Sequence, residues 1–152
     1  MKVYLASPFF NKAESSFKQK IKARLEALGI TVLDPQTHNL DHGWEMTNTE
    51  WGELTFQGDI RHINEADAVV ALDWGMYSDT GTAWEIGFAY GLQKPILVIV
   101  PKEVLPKTHS LMVKNGCSNF ITEERFFLID NSVDFEEIIN SGLYSADGVV
   151  VS

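Results

Sequence analysis

Short apolar runs alternate along the chain with segments in which apolar residues recur every three or four positions. The runs predict strands at residues 3–6, 30–33, 68–72, 96–100 and 118–121. The periodic segments predict helices at residues 12–28, 49–65, 82–90, 108–114 and 134–141. Because strands and helices alternate in this order, we expect a three-layer α/β fold with a central parallel sheet.

The loops that follow the first three predicted strands are the expected place for a binding site. Flavodoxin-like folds of this kind bind ligands beyond the carboxyl ends of their parallel strands, near a switch in strand order. The loops in question span residues 7–11, 34–48 and 73–80. The second is long and polar, and long loops in compact domains tend to be functional.

Composition narrows the classes of function. The chain, residues 1–152, has the length of one domain, and 45 % of its residues are apolar, enough for a well-packed core. Its net charge of −9 is the opposite of what a nucleic-acid polymer or an anionic membrane surface attracts. Small molecules therefore remain as the expected partners.

The same sequence argues against a metal ion, a cofactor or a leader segment. Cys117 is the only cysteine, so an intrachain disulfide and a cysteine-based zinc site are excluded. His38 and His42 are four positions apart but lack a matching third ligand. No apolar run approaches the roughly 18 residues of a membrane span, and the apolar start is too short for a signal peptide. We therefore expect a cytoplasmic protein without metal or cofactor.

Glu85 is the first candidate for chemistry, because it is the only charged residue from Thr80 to Gly91. Its neighbours are small or apolar on every side, so we expect this helix to be buried all round. A buried carboxylate is costly unless it is paired or used. Near the start of a helix, the helix dipole favours the anion, which suits a nucleophile. The alternative is a structural glutamate paired with a buried Lys or Arg, and the sequence favours the nucleophile.

Asp59 and Asp79 are candidate partners of Glu85. The apolar positions of the second helix that we expect to face inward are Trp51, Leu54, Phe56, Ile60 and Ile63. Asp59 lies at the edge of this stripe, and its alternative is a surface residue paired with Arg61 or His62. Asp79 is either a helix N-cap or a contact to the ligand, and the residues alone leave both open. Several carboxylates that converge on one site are typical of retaining glycosidases.

Aromatic residues near the strand ends are candidate ligand contacts. Tyr4 lies within the first strand, where a core tyrosine with a satisfied hydroxyl is the simpler interpretation. Phe9 and Phe10 follow that strand and either stack on a planar ligand or pack beneath the loop. Trp74 is a third candidate for stacking on a base.

Four segments together resemble the nucleoside 2-deoxyribosyltransferase family. They are Tyr4–Phe10 (YLASPFF), Gly58–Ile60 (GDI), Ala66–Val70 (ADAVV) and Asp79–Gly87 (DTGTAWEIG). The similarity extends from Val3 to about Met112. The family moves 2-deoxyribose from one nucleobase to another, so the resemblance implies a transferase of nucleoside salvage that acts on deoxynucleosides and free bases.

The resemblance also implies roles for individual residues. Glu85 matches the nucleophile that attacks the anomeric carbon and holds the sugar as an ester, with net retention, and Tyr4 matches the tyrosine that orients it. Asp59 and Asp79 match the two aspartates that hold the sugar and serve proton transfer at the base. With them we expect substrate contacts from Phe9, Phe10, Gln36, Gly81, Ser110 and Met112.

The segment Ser110-Leu111-Met112 bears on assembly. It resembles the family's Asn-Leu-Met segment, which reaches into the site of a neighbouring subunit, except that Ser110 replaces the asparagine. The resemblance implies a homo-oligomer with shared active sites, a tetramer or hexamer built from dimers.

Two other functions fit the same residues. A deoxynucleoside 5′-monophosphate N-glycosidase gives the sugar to water; Ser110 is compatible with its phosphate, whereas Asp79 would repel it. A non-catalytic nucleoside-binding module has little need for Glu85, Asp59, Asp79 and Tyr4 together. The sequence therefore favours the transferase.

Overall fold

The computed structural model describes residues 1–37, 45–141 and 150–151. Its strands are β1 (Lys2–Ala6), β2 (Thr31–Leu33), β3 (Ala68–Leu72), β4 (Ile96–Val100), β5 (Thr108–His109), β6 (Asn119–Thr122) and β7 (Val150–Val151). Its α-helices are α1 (Lys12–Ala27), α2 (Asn48–Glu65), α3 (Thr80–Gly91), α4 (Leu111–Gly116), α5 (Glu123–Phe127) and α6 (Ser132–Ser141). Short 3₁₀ helices span Pro35–Thr37 and Lys102–Val104.

The central sheet has five parallel strands in the order β2-β1-β3-β4-β6. The chain moves from β1 outward to β2 and then returns to β3 on the other side of β1. This is the flavodoxin-like strand order, with its switch point between β1 and β3. The predicted α/β fold with a central parallel sheet is therefore confirmed.

Two apolar cores lie on the two faces of this sheet. Alternate residues of β1 point to opposite faces, so Val3 and Leu5 belong to one core and Tyr4 and Ala6 to the other. Helices α1, α5 and α6 supply apolar side chains to the first core, and α2 and α3 to the second. Because α3 shares a core with Tyr4, its residues come close to β1 although they are far away in sequence.

The predicted start and stop of α1 are confirmed by their local geometry. Asn11 caps the helix, with its side chain accepting a hydrogen bond from the Glu14 backbone N–H over 3.0 Å. Gly29 follows the helix with a φ of 79°, a backbone conformation that favours glycine.

The helix predicted at residues 108–114 is wrong at its first half. Thr108 and His109 form β5, and the helix begins only after Ser110. Long-range contacts explain the strand: the Met76 N–H donates to the Thr108 carbonyl over 2.7 Å. His109 is fully buried, and its Nδ1 lies 2.6 Å from Asp73 Oδ2.

Helix α5 was not predicted, because a helix of five residues is too short to show a helical period in the sequence.

The inward stripe predicted for α2 is only partly correct. Ile63 is fully buried, whereas Trp51, Leu54 and Phe56 are 52 %, 45 % and 47 % exposed. Helix α3 is also not buried on all sides, because Trp84 is 50 % exposed. Apolar periodicity shows that a face is apolar, but it does not show what covers that face.

The exposed rings of these two helices contact each other. The Phe56 and Trp84 ring centres are 5.4 Å apart, and Trp84 stacks on Phe88 at the same distance. We call Phe56, Trp84 and Phe88 the aromatic surface.

Some predictions concern residues that the structure does not describe. His38 and His42 lie outside the described residues, as do most residues of the apolar tail. Of that tail, the backbone of β7 pairs in parallel with β5, with Val150 opposite Thr108. In the described parts of the chain, none of the helices is long and apolar enough to cross a membrane.

Candidate active site

A pocket of about 620 Å³ lies where β1, β2 and β3 end, next to the switch point of the sheet. Its lining includes the following predicted site residues: Phe9, Gln36, Asp59, Asp79, Gly81 and Glu85. They come from three loops and two helices, so the topology gathers residues that are scattered along the chain. This is the location that parallel α/β sheets use for ligands.

Tyr4 connects β1 to the pocket through Glu85. The Tyr4 hydroxyl donates a hydrogen bond to Glu85 Oε1 over 2.5 Å. The Tyr4 side chain is fully buried, and burial together with the charges of Glu85 and Asp59 raises the pKa of its phenol far above the usual value. The phenol therefore stays neutral and acts as a fixed donor to Glu85.

The Glu85 carboxyl titrates well above an ordinary glutamate. Burial raises its pKa to about 7, the hydrogen bond from Tyr4 opposes this shift, and the nearby Asp59 and Asp79 carboxylates add to it. Lys18 also lowers the Glu85 pKa, more weakly. Glu85 therefore exchanges between charged and neutral forms near neutral pH, a property that often marks functional groups.

Asp79 is the N-cap of α3, so the structural alternative for this residue is correct. Its Oδ2 accepts hydrogen bonds from the Thr82 backbone N–H over 2.8 Å and from the Thr82 hydroxyl over 2.9 Å. Asp79 also lines the pocket. A Cβ on Gly81 would lie only 3.0 Å from Asp79 Oδ2. The absence of a side chain at Gly81 therefore leaves room for the Asp79 carboxylate.

Asp59 faces the pocket rather than the solvent-exposed side of α2. It is partly buried, and its charge and hydrogen bonding contribute to the raised pKa of Tyr4. Asp59 is also one of the groups that raise the pKa of Glu85. Asp59 is therefore not a fully exposed surface residue, and Tyr4, Asp59 and Glu85 form one electrostatic cluster.

The predicted aromatic contacts take different positions. Phe9 lines the pocket and is 37 % exposed. Phe10 stacks on Phe9 with ring centres 5.2 Å apart, but it is 73 % exposed and is not part of the pocket lining. Trp74 is partly buried against the core and meets Phe17 edge-on at 5.8 Å. It is not part of the pocket lining, and its stacking on a base stays a prediction.

Neither Ser110 nor Met112 is part of the lining of the Glu85 pocket in the same chain. Ser110 caps α4 and borders a separate cavity of about 160 Å³, which it shares with Asp79 and Thr82. Met112 is 75 % exposed and borders neither cavity. The single chain therefore does not bring Met112 to its own pocket.

Several residues around the pocket were not predicted from the sequence, among them Trp51, Arg61 and Lys18. Trp51 and Arg61 line it, although Trp51 was expected in the core and Arg61 only as a surface partner of Asp59. Lys18 lies behind the pocket wall and is fully buried. Its position three residues before Ile21, on the buried side of α1, is the signal that could have revealed it.

The fold and the site together define a class of protein. It is a parallel α/β protein with a cluster of carboxylates at the switch point of its sheet. Such a cluster is suited to nucleophilic and acid–base chemistry on a small molecule. The chain belongs to the nucleoside 2-deoxyribosyltransferase family, whose family model matches residues 3–131.

Similarity to individual relatives is moderate. The nucleoside deoxyribosyltransferase of Limosilactobacillus fermentum is 26 % identical over 136 residues, which cover 82 % of this chain and 81 % of that protein. The enzyme of the same name from Lactobacillus johnsonii is 26 % identical over 81 residues, and the match spans 53 % of this chain and 54 % of that relative.

Solved structures agree with the fold. The 2-deoxyribosyltransferase of Bacillus psychrosaccharolyticus is similar with a TM-score of 0.75 and 31 % identity, over 88 % of this chain and 95 % of that one. A CMP N-glycosidase of Clostridium botulinum, at 20 % identity and a TM-score of 0.56, covers 84 % of this chain and 95 % of its own. At that identity the second likeness concerns the fold alone.

Proposed function

We propose that the protein transfers 2-deoxyribose between purine and pyrimidine bases, as an enzyme of nucleoside salvage. The observation that carries this proposal is the hydrogen bond from Tyr4 to Glu85 Oε1 in a pocket shared with Asp59 and Asp79. A carboxylate fixed at one oxygen and surrounded by partly desolvated walls is suited to attack an electrophilic carbon.

In the first step, Glu85 attacks the anomeric carbon of the deoxynucleoside. Tyr4 occupies Oε1, so Oε2 forms the new C1′–O bond while the bond from C1′ to the base nitrogen breaks. The bonding electron pair leaves with the base. The sugar passes through an oxocarbenium-like state, which the missing 2′-hydroxyl makes more accessible, and ends as an ester of Glu85.

The departing base needs a proton at the nitrogen that receives this electron pair. Asp59 or Asp79 delivers the proton, directly or through a water molecule. A second base then enters, loses its proton to the same group and attacks C1′ as the Glu85 ester breaks. Two inversions give net retention at C1′.

Assembly completes the site in this proposal. Met112 is largely exposed and does not line the pocket of its own chain, and Phe56 and Trp84 of the aromatic surface are about half exposed in the single chain. We propose a homo-oligomer of dimers in which Ser110 and Met112 reach the pocket of a neighbouring subunit.

Arg61 gives a reason to test a second function. It lines the pocket, and a guanidinium group is suited to bind a phosphate. An N-glycosidase acting on deoxynucleoside 5′-monophosphates would use this arginine and give the sugar to water. The Asp59, Asp79 and Glu85 carboxylates in the same pocket oppose a phosphate dianion, so the nucleoside is the better supported substrate.

Incubation with thymidine and adenine, followed by chromatography, tests the proposed function. We expect deoxyadenosine and thymine in equal amounts, and neither from Glu85→Gln. Parallel reactions with thymidine 5′-phosphate separate the alternatives. Release of thymine only from the phosphate, without deoxyadenosine, would establish the N-glycosidase, and binding without turnover would establish a non-catalytic module.

A further inference from the structure

Lys18 is a fully buried lysine whose ammonium group contacts the walls of the pocket from behind. Its Nζ lies 2.6 Å from Asp34 Oδ1 and 2.9 Å from Gln36 Oε1. It also lies 4.7 Å from the centre of the Phe9 ring, within cation–π range. Phe9 and Gln36 both line the pocket that holds Glu85. One buried cation therefore supports two residues of the pocket wall.

The contact with Lys18 determines which way the Gln36 amide faces. A lysine ammonium carries only hydrogen-bond donors, so the amide atom that meets it must be the oxygen. The Gln36 backbone N–H also donates to Asp34 Oδ1 over 3.0 Å, which holds the turn against the same carboxylate. The side-chain oxygen of Gln36 is thus occupied, and its NH₂ group is left for a ligand.

A fixed amide recognises a base differently from a rotating one. A free glutamine can turn its side chain and so exchange a donor for an acceptor. Gln36, held with its oxygen toward Lys18, offers its NH₂ group to a ligand as a donor. A carbonyl oxygen on the base then gains a hydrogen bond, whereas an amino group at the same place sets one N–H against another and leaves both unpaired.

The place of Gln36 in the sheet indicates which edge of the base it meets. Glu85 is bonded to Tyr4 of β1, whereas Gln36 follows β2, the neighbouring strand. Both residues line one pocket, Glu85 from α3 and Gln36 from the turn after β2, so one bound nucleoside can contact both. With the anomeric carbon at Glu85, the base reaches Gln36 with the edge remote from its glycosidic nitrogen. That edge carries C4 of a pyrimidine or C6 of a purine.

Resting on the proposed transfer reaction, we infer that Lys18 is a positioning residue that sets the base preference. It holds Gln36 as a donor, so that 6-oxopurines and 4-oxopyrimidines are preferred over the corresponding amino bases. The substrate class at this subsite is therefore the oxo bases.

The test compares bases that differ only in this group, with thymidine as the deoxyribose donor. The measured quantity is the ratio of kcat/KM for hypoxanthine over adenine and for uracil over cytosine. We expect both ratios to be at least about tenfold in the wild type, because one hydrogen bond is gained and one clash avoided. In Lys18→Met, the freed amide can turn, and both ratios fall toward one.

Lys22→Met is the matched control. Lys22 binds the other oxygen of Asp34, with Nζ 3.0 Å from Oδ2, but is not a partner of the Gln36 amide. We expect this variant to keep the wild-type ratios, while Gln36→Leu loses them. A general disturbance of the turn would change Lys18→Met and Lys22→Met alike, and that result would overturn the inference.

Two further outcomes are equally decisive. Equal activity of the wild type on oxo and amino bases, or an unchanged ratio in Lys18→Met, would contradict the role of Lys18. If Lys18→Met does not fold, Gln36→Glu replaces it: a carboxylate accepts only, so the preference must turn toward amino bases. If the wild type transfers deoxyribose to no base at all, the proposed function fails. The inference is then tested by calorimetry, as the ratio of the dissociation constants for adenine over hypoxanthine and for cytosine over uracil.

Discussion

The Tyr4 hydroxyl lies 2.5 Å from Glu85 Oε1, although 81 positions separate the two residues in sequence. This hydrogen bond opposes the rise that burial causes in the Glu85 pKa. Tyr4 therefore orients the carboxylate and also keeps more of it ionised at neutral pH.

Tyr4→Phe should move the pH dependence of transfer. The variant loses the hydrogen bond that lowers the Glu85 pKa, so that pKa rises above about 7. A nucleophile must be ionised, so the acid limb of the kcat/KM profile should shift to higher pH, with the largest loss below pH 7 and partial recovery near pH 9. Tyr90→Phe is the control, because Tyr90 is an exposed tyrosine on α3, the helix that carries Glu85. We expect this variant to keep the wild-type pH profile of kcat/KM. An unshifted profile in Tyr4→Phe would contradict this role.

Glu85→Gln should abolish transfer while leaving the protein folded. Removal of a covalent nucleophile typically costs several powers of ten in rate. The glutamine amide retains an oxygen that can accept from Tyr4, so the local packing is kept. Circular dichroism and turnover of thymidine with adenine check both parts. A residual rate above about a tenth of the wild type would remove Glu85 from the role of nucleophile.

The same substitution should change how stability depends on pH. In the wild type the unfolded chain releases the Glu85 proton near its ordinary pKa, whereas the folded protein keeps it up to about pH 7. The folded state binds more protons in this window, so the stability of the wild type falls as pH rises through it. The free energy of unfolding of Glu85→Gln should therefore increase relative to that of the wild type between about pH 4.5 and 7, by up to roughly 3 kcal/mol. Denaturant unfolding at pH 5 and pH 8 measures this difference, and a gain that shrinks with pH would contradict the raised Glu85 pKa.

Gly81→Ala should disturb Asp79, since the new Cβ would lie 3.0 Å from Asp79 Oδ2. Displacement of this N-cap costs about 0.5–2 kcal/mol of stability and moves a carboxylate of the pocket. Gly87→Ala is the matched control: a Cβ there has nothing within 4 Å, so this variant should be more stable by about 0.5–1 kcal/mol. Thermal unfolding and kcat/KM of both variants check the contrast, and equal behaviour would show that Gly81 does not place Asp79.

Met112→Asp should reduce both assembly and activity, because Met112 is exposed in the single chain and is proposed to enter a neighbouring site. Val133→Asp, an equally exposed apolar residue on α6, should change neither. Light scattering and the transfer assay measure the two effects. A wild-type protein that is fully active as a monomer would contradict the shared site without affecting the role of Glu85.

The sequence was sufficient for the fold and for much of the candidate site. Alternation of apolar runs and helical periods predicts the parallel sheet, and the isolated charge of Glu85 within an apolar helix indicates a residue of the pocket. The exposed faces of Trp84 and Phe56 could not be predicted in this way, because periodicity does not distinguish a face that packs within the chain from one left uncovered.

Contacts between remote segments account for the other differences. His109 is part of a strand rather than a helix because a buried Asp73 lies beside it, 36 positions earlier. Lys18 lies behind the pocket only because α1 and the turn after β2 meet around Asp34. The helical spacing to Ile21 indicates that Lys18 is on the buried side of α1, but the partners of Lys18 and His109 are set by contacts between remote segments.

Detection of the sugar on Glu85 is the most direct test of the central claim. The enzyme is mixed with a deoxynucleoside in the absence of an acceptor base, quenched in acid, digested and examined by mass spectrometry. We predict an added deoxyribosyl group on the peptide that contains Glu85, lost when adenine is added before the quench and absent in Glu85→Gln. Exchange of bases without any adduct, together with intersecting rather than parallel kinetic lines for two bases, would instead show direct displacement and contradict the covalent role of Glu85.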